Sequence, residues 1–406
     1  MTGSGKSVFC LMLVLGCVSP AQAEEKNTGP MPAPPITIGE KGVVLRDGKP
    51  YRAVGINYFS AFSRTLAKAD DTSYETGLDE LARRGIPFIR FMACPFWPKE
   101  YELYRNDPDA YFRLMDAFVK AAEQRKIGLI PSLFWYNSAV PDIVGEPRSA
   151  WGDPNSKTIA YLRKYVSEVV GRYRGSPAIW AWELGNEYSL AADLPNAAQH
   201  RPPVVPHLGT LTERSAADDL THDMIATACR EFGNAVRQMD KVHPVTTGHS
   251  LPRTAAEHQR RELSWKQDTP EELVQNLMDV TPDPINLISV HVYPFGEEKR
   301  FNQEETGYLE VLQQCMKASA QSGKGLFVGE FGAADDEKSG GPETARVEFG
   351  KLLAAIEEAG VPLSALWVFD LPFQESFVNI STTNARSWQL GELEKANLRL
   401  KEKGYQ

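Results

Sequence analysis

The chain has 406 residues, of which 42% are hydrophobic, 10% aromatic and 24% charged, and its formal net charge at pH 7 is −9. This composition excludes a disordered chain and is typical of a folded protein with a large core. The negative charge and the lack of clustered Lys and Arg argue against nucleic acid as a partner.

The N-terminal 23 residues have the pattern of a signal peptide. Lys6 precedes an apolar run at 8–18, and Ala-Gln-Ala at 21–23 is a small-residue cleavage pattern. The run is shorter than the about 20 apolar residues that span a bilayer. We therefore expect cleavage after Ala23 and a secreted or periplasmic protein. An alternative is a lipoprotein signal at Leu-Gly-Cys, with a lipid anchor on Cys17.

Cleavage would leave three cysteines, Cys94, Cys229 and Cys315. An odd number of cysteines on separate predicted elements does not form a disulfide framework. We expect buried, inert thiols and a fold that is stabilised by its core.

Residues 24–35 are rich in Pro, Lys and Glu and are predicted to be a flexible leader. Short apolar segments follow at 36–38 and 42–45, and Asp-Gly-Lys-Pro at 47–50 has turn composition. These features predict a short N-terminal β-hairpin, placed to cap the floor of the fold that follows.

Eight strand-like apolar segments then alternate with amphipathic segments. The predicted strands are 52–59, 88–93, 128–134, 179–187, 245–250, 287–293, 326–331 and 365–370. The predicted helices include 111–126, 159–173, 221–239, 308–322 and 344–359. The alternation is typical of parallel βαβ units and predicts an α/β fold, a single (β/α)8 TIM barrel over residues 36–406. An open doubly wound sheet is the alternative, but no Gly-rich phosphate motif follows the first strand.

Two predicted connections are much longer than usual, at 188–219 and 251–269. Both follow strands at the face where barrels carry their active sites. Long connections there build substrate clefts, so we expect these two to shape the cleft.

Two segments containing glutamate each end an apolar run: Trp-Glu-Leu-Gly-Asn-Glu at 182–187 and Val-Gly-Glu-Phe-Gly at 328–332. A carboxylate at the tip of a strand costs free energy to desolvate, and a barrel brings the tips of distant strands together. The two segments therefore predict glycoside hydrolysis by a pair of carboxylates.

These motifs are accompanied by others in the same order along the chain: Gly-Ile-Asn-Tyr at 55–58, Ile-Arg-Phe at 89–91, His-Val-Tyr at 291–293 and Trp367. Together they resemble glycoside hydrolase family 5 and its clan A relatives, over essentially the whole chain after the leader. The resemblance implies a polysaccharide or oligosaccharide substrate and no cofactor.

By this resemblance Glu187 is the general acid/base and Glu330 the nucleophile. Glu330 must be ionised to attack, whereas Glu187 must carry a proton, so their pKa values have to be pushed apart. Retaining enzymes have carboxyl groups about 5 to 5.5 Å apart, whereas inverting ones have them about 6.5 to 9.5 Å apart. We expect retention.

Several further residues match the supporting positions of the family. Arg90 is expected beside Glu330, and Tyr293 is expected to donate its hydroxyl to Glu330. His291 lies two residues before Tyr293, on the same face of the predicted strand. Asn57, in the first-strand motif, is a further supporting candidate.

Asn186 resembles the asparagine that binds the sugar 2-hydroxyl. Neighbouring residues of an ideal strand point to opposite faces. Asn186 and Glu187 can therefore both serve the site only if the strand ends in a bulge or twist there. His249, near the end of the fifth predicted strand, is a candidate for lining the cleft.

Trp367 resembles the aromatic platform beneath the sugar at the cleavage site, and Trp135, Tyr136 and Phe59 are further candidate platforms. Many glucan-cleaving members carry a histidine at the end of the third strand, where this chain has Leu-Phe-Trp-Tyr at 133–136. An aromatic residue there resembles the mannan-cleaving branch more closely. The Gly-Asn-Glu sequence is shared across branches, so β-1,4-mannan and β-1,4-glucan both stay open.

No metal site is predicted. His243 and His249 bracket a strand without a third ligand in the sequence, and the Gly-x-Ser-x-Gly motif of serine hydrolases is absent. Two alternatives to an endo-acting hydrolase remain: an exo-acting or transglycosylating clan A enzyme, and a carbohydrate-binding barrel without turnover.

Overall fold

A computed structural model describes residues 35–295, 300–303 and 306–406. The predicted signal peptide, Cys17 and all but the last residue of the predicted leader lie outside the described residues.

The described chain contains eleven β-strands and twelve α-helices. The strands are β1 (Thr37–Ile38), β2 (Val44–Arg46), β3 (Lys49–Pro50), β4 (Ala53–Asn57), β5 (Phe88–Met92), β6 (Gly128–Phe134), β7 (Trp182–Gly185), β8 (Val245–Thr246), β9 (Leu287–Val292), β10 (Gly325–Phe331) and β11 (Leu363–Leu366). The helices are α1 (Ser63–Ala67), α2 (Tyr74–Arg83), α3 (Glu102–Asn106), α4 (Pro108–Arg125), α5 (Ala139–Val144), α6 (Lys157–Tyr173), α7 (His222–Met239), α8 (Ala256–Glu262), α9 (Pro270–Asp279), α10 (Tyr308–Ser322), α11 (Gly341–Ala359) and α12 (Trp388–Glu402).

Strands β4 to β11 form a closed barrel of eight parallel strands, in which β11 pairs with β4. The prediction of a single (β/α)8 barrel is confirmed. The fourth and fifth barrel strands, β7 and β8, are shorter than predicted. The chain leaves the ladder where Glu187 and Gly248 adopt positive φ angles of 56° and 71°. These two breaks turn the C-terminal ends of the strands towards the active face.

A small antiparallel sheet of β1, β2 and β3 closes the floor of the barrel. It has one strand more than the predicted hairpin, because Lys49 and Pro50 pair back onto β2 after the turn. Ile36 and Val44 pack with Phe88 and Leu363, which lie at the N-terminal ends of barrel strands. The sheet therefore seals the end of the barrel opposite the active face.

The predicted helices are present, with ends shifted by a few residues. Helix α10 has the predicted bounds, whereas α4 begins three residues earlier than predicted. Pro108 occupies the first turn of α4, and the Asp107 carboxylate accepts a hydrogen bond from the Ala110 N–H. A proline at the first turn and an aspartate cap are strong start signals, which explains the earlier start.

The two long connections are anchored to their surroundings. In the first, the Arg214 guanidinium lies 2.7 Å from the Asp142 carboxylate of α5, and both side chains are buried. The second contains α8, and its Arg253 donates hydrogen bonds to the carbonyls of Leu190 and Ala192 in the first. The two connections are thus joined to each other on the active face.

Cys94, Cys229 and Cys315 are free thiols and are buried. Burial raises the pKa of the Cys94 thiol to about 12, so this thiol is not ionised at neutral pH. Within the described residues, the helices are too short or too polar to cross a membrane.

Candidate active site

Arg90, on β5, lies at the centre of a buried polar network near the C-terminal ends of the strands. Its side chain is fully buried and contacts four others: Glu183, Glu330, Asn57 and Asn186. A guanidinium can present its planar fork of donors to several acceptors at once. Arg90, on β5, therefore links residues from three other strands: β4, β7 and β10.

Glu330 lies near the end of β10 and is held on both of its carboxylate oxygens. Arg90 Nη1 lies 2.7 Å from Glu330 Oε1, and the Tyr293 hydroxyl donates to Oε2 at 2.6 Å. The pairing of β10 with β9 shifts register between Val328 and Glu330, which sets Glu330 beside His291. The two contacts fix the carboxylate in one orientation.

Glu187 and Asn186 follow the end of β7 at Gly185. Glu187 has a left-handed backbone conformation, and its N–H donates to the Gly248 carbonyl at 2.8 Å. The Asn186 Oδ1 atom accepts from Arg90 Nη2 at 2.7 Å. The left-handed residue breaks the alternation of the strand, so both side chains reach the same site.

His291 contacts Glu187 directly. His291 Nδ1 lies 2.9 Å from Glu187 Oε1, while the Glu187 side chain is 30% exposed and that of Glu330 only 6%. Burial raises the pKa of Glu187, but the hydrogen bond and charge of His291 and the charge of Arg90 outweigh burial. The pKa of Glu187 is therefore lowered in the substrate-free protein, whereas the sequence predicted a group that holds its proton.

The His291 ring is packed closely against β10. A Cβ atom at Gly329 would lie 2.9 Å from His291 Nε2, so only glycine leaves room for this ring. Among the described residues, His291 Nε2 has no hydrogen-bond partner. The ring is thus positioned by its contact with Glu187, and it fits against β10 because residue 329 has no side chain.

Glu187 and Glu330 are close enough to act on one bond. An oxygen of each carboxylate and a His291 ring nitrogen all lie within 4.8 Å of one another. Such a group could also hold a cation, as could His258, Asp268 and Glu272 in the second long connection. In that second group His258 Nδ1 and Asp268 are hydrogen-bonded to each other at 2.9 Å, and Glu272 caps α9.

An aromatic cluster lies beside the network. The Trp367 and Trp135 rings are 5.9 Å apart at an angle of 26°, and Phe59 packs edge-on against Trp135 at 4.8 Å. The Arg90 guanidinium lies 4.5 Å from the centre of the Trp135 ring. Trp367 is the more exposed of the two tryptophans. Its Nε1 donates a hydrogen bond to Gln374 Oε1 at 2.9 Å, which anchors the ring.

One known protein family matches most of the chain. The family model described as Cellulase (glycosyl hydrolase family 5) matches residues 44–369. The chain belongs to glycosyl hydrolase family 5. It is therefore a glycoside hydrolase, and the matched region contains the whole network around Arg90.

A curated relative is mannan endo-1,4-beta-mannosidase F of Aspergillus fumigatus. It is 30% identical to this chain over 178 residues, which are 38% of this chain and 40% of that protein. The chain thus matches about two fifths of the length of this relative.

Solved structures of similar fold include an endo-1,4-beta-mannanase from Rhizomucor miehei, with a TM-score of 0.65, 16% identity and coverage of 90% of this chain and 99% of that chain. Another is the exo-beta-1,4-mannosidase Op5Man5 from Opitutaceae bacterium strain TAV5, with a TM-score of 0.60, 16% identity and coverage of 89% and 62%. At this level of identity the likeness shows the family 5 fold.

One predicted site residue lies elsewhere than expected. His249 is fully buried, with Nε2 3.7 Å from Cys229 Sγ on α7, so the expectation that it lines the cleft is wrong. Burial lowers the pKa of His249 to about 3, so its ring is neutral. Tyr136, a candidate platform, stacks on Phe96 at 5.0 Å.

Asn57 is also fully buried and supports the site from behind. Its Nδ2 donates to the Gly329 carbonyl at 2.9 Å, and its Oδ1 accepts from Arg90 Nη1 at 3.1 Å. The side chain therefore fixes the backbone just before Glu330.

Sequence analysis missed Glu183 and Ser250. Glu183 is fully buried against Arg90, and the Ser250 side chain is one of the groups that lower the pKa of the Glu187 carboxyl. The signal for Glu183 was available: it stands four residues before Glu187, on the same face of an ideal strand. Ser250 lies beyond the break at Gly248 and had no comparable signal.

Proposed function

We propose that this family 5 enzyme cleaves β-1,4-linked mannan inside the chain with retention of anomeric configuration. Glu330 is the nucleophile and Glu187 the general acid/base. The observation that carries the proposal is the approach of the two carboxylates, whose nearest oxygens lie within 4.8 Å. Separations of about 5 to 5.5 Å between carboxyl groups favour retention over inversion.

In the first step a Glu330 oxygen attacks the anomeric carbon and forms an ester. The glycosidic C–O bond breaks, and its oxygen takes the proton of Glu187. In the second step Glu187, now ionised, takes a proton from water. The water oxygen attacks the anomeric carbon, and Glu330 leaves as a carboxylate.

The contacts of the two glutamates support this division of roles. Arg90 and Tyr293 both donate to Glu330 and hold its carboxylate in one orientation for attack. Glu187 keeps partial access to solvent and contacts His291 Nδ1. Substrate that covers Glu187 removes its remaining solvation and raises its pKa towards that of a proton donor.

Mannan is the proposed substrate for two reasons. The third barrel strand is followed by Trp135, where many glucan-cleaving relatives have a histidine. The A. fumigatus relative is itself named as a mannan endo-1,4-beta-mannosidase. β-1,4-Glucan is the alternative polymer.

The test is product analysis of the purified protein on mannan, glucomannan, carboxymethyl cellulose, β-1,3-glucan and xylan. The Glu330→Gln variant serves as the matched control. We expect mannan oligosaccharides of several lengths from the wild type and none from the variant. Early products followed by proton NMR should carry the β-anomer. Products from no polymer, or an early α-anomer, would overturn the proposal.

Product length also tests exo action, which the first long connection favours as an alternative. The buried ion pair between Arg214 and Asp142 fixes this connection to α5. A connection fixed in this way can close one end of a substrate cleft. Release of one short product from the start would establish exo action.

We further propose that the protein is secreted or periplasmic after cleavage at Ala23. The N-terminal pattern of charge, apolar run and small residues supports this location. Sequencing the N-terminus of the exported protein tests it: Glu24 is expected, whereas a lipidated Cys17 would establish the lipoprotein alternative.

A further inference from the structure

Phe373 is an aromatic residue that the active-site network does not use. It lies in the connection after β11, between Pro372 and Gln374, and its side chain is 87% exposed. Connections after barrel strands lie on the active face. The ring therefore forgoes the favourable free energy of burial.

The exposure of Phe373 is not the result of a loose loop. The Gln374 carbonyl accepts the N–H groups of Phe377, Val378 and Asn379 at 3.0 to 3.2 Å. The Asn379 side chain in turn accepts from the Leu371 N–H at 2.6 Å. These hydrogen bonds stabilise the backbone of a tight turn, and the Phe373 side chain extends from this turn into solvent.

The connection is joined to both the aromatic cluster and the first barrel strand. Gln374 Oε1 accepts from Trp367 Nε1 at 2.9 Å, so the residue next to Phe373 anchors the Trp367 ring. Asp370 at the start of the connection accepts from the Tyr58 hydroxyl at 3.0 Å and from Arg64 at 2.9 Å. The backbone that carries Phe373 is therefore joined to the anchor of the Trp367 ring.

We propose that Phe373 is a platform for a second sugar unit of the polysaccharide, beyond the unit that packs on Trp367. The C–H face of a pyranose packs well on an exposed aromatic ring. A ring held in place before binding adds affinity without the cost of ordering a loop. The proposal rests on the proposed function, since it assumes a polysaccharide in the cleft, and it extends that cleft over the connection after β11.

The test compares variants in a Glu330→Gln background, in which bound substrate is not consumed. Binding of mannobiose and mannohexaose, and of the matching β-1,4-glucan oligosaccharides, is measured by calorimetry. Phe373→Ala should weaken binding of the hexasaccharide about tenfold, a change that corresponds to about 1.4 kcal/mol, and leave the disaccharide unchanged. Phe373→Tyr should restore hexasaccharide binding.

Leu398→Ala is the matched control, because Leu398 is a 53% exposed apolar residue of α12 on the outside of the barrel. Equal hexasaccharide binding by the parent and Phe373→Ala would overturn the inference. If the wild type hydrolyses nothing but the parent binds through Phe373, the proposed function fails and the inference stands. If the parent binds no oligosaccharide, both fail.

Discussion

Arg90 and Glu183 form an ion pair in which neither side chain is exposed to solvent. Arg90 Nε lies 2.8 Å from one oxygen of Glu183 and 3.0 Å from the other. The opposite edge of the guanidinium is thereby turned towards Glu330 and Asn186. Glu183 orients Arg90, and Arg90 in turn orients Glu330 and Asn186.

Glu183→Gln should lower kcat/KM about 10- to 100-fold, the equivalent of one charged hydrogen bond of about 1.5 to 3 kcal/mol. Glutamine keeps the shape of the side chain but removes one negative charge. Glu187 then experiences a more positive surrounding, which lowers its pKa further. The basic limb of the pH profile of kcat/KM should therefore move to lower pH.

A pH profile separates this role from simple damage to the fold. Glu100→Gln is a suitable control, because among the contacts described the Glu100 carboxylate accepts hydrogen bonds only from the nearby backbone N–H groups of Phe96 and Trp97. A Glu183→Gln variant with lower activity but an unshifted profile would contradict the electrostatic role.

His291→Ala should raise the pKa of Glu187. Burial raises this pKa and His291 lowers it. Without His291, fewer interactions counteract the effect of burial, so the pKa of Glu187 rises. The basic limb of kcat/KM reports loss of the Glu187 proton and should move to higher pH. Its measurement on a soluble oligosaccharide checks the sign; a shift to lower pH would show that His291 does not lower this pKa.

Gly329→Ala should impair catalysis through His291. The added methyl group would lie 2.9 Å from His291 Nε2 and 3.3 Å from Ser289 Oγ, so the ring has to move away from β10. We expect kcat to fall about tenfold or more, since acid–base catalysis contributes about 10²- to 10⁴-fold. Gly350→Ala is the control, because its Cβ meets nothing within 4 Å on α11. Equal activity of the two variants would exclude steric control of His291.

Asp240→Asn should lower the free energy of unfolding by about 2 to 3 kcal/mol at pH 7. Asp240 Oδ2 accepts from Trp182 Nε1 at 2.8 Å and contacts His243 Nδ1 at 2.6 Å, behind β7. Burial raises the pKa of Asp240, but hydrogen bonds from His243, Trp182 and Val242 outweigh it and lower the pKa overall.

The lowered pKa fixes the pH dependence of this effect. The stabilisation is present above the unfolded pKa of about 3.9 and is lost as pH falls through the folded value. Urea unfolding at a series of pH values should show the difference between wild type and Asp240→Asn narrowing below about pH 4. Asp70→Asn, at a 78% exposed side chain, is the control and should change stability little. A difference that is constant down to pH 2 would contradict the assignment.

The barrel was predictable because most of its strands are apolar runs, and burial on both faces selects such runs. The strand ends were less predictable. The run at 245–250 continues in sequence, but Gly248 has a φ of 71° and ends the ladder at Thr246. That break also turns His249 towards α7, and hydrophobicity carries no information about it.

The candidate site was predictable where motif residues lie on the strands themselves. Arg90, Glu330 and Tyr293 meet as their strand positions suggest. Tyr136 lies beyond the end of β6, where its neighbours come from another connection, so sequence position did not show that it stacks on Phe96. Glu183 was overlooked because one buried arginine was assigned one carboxylate partner, although its fork can serve several.

The small sheet at the barrel floor has a practical consequence for how this enzyme can be attached to other materials. Ile36 packs into the floor, and the Tyr405 carbonyl accepts the Arg52 N–H just ahead of β4. Both ends of the described fold therefore lie on the side opposite the glutamates. A support or fusion partner joined through either end would leave the face that carries the two glutamates turned outwards.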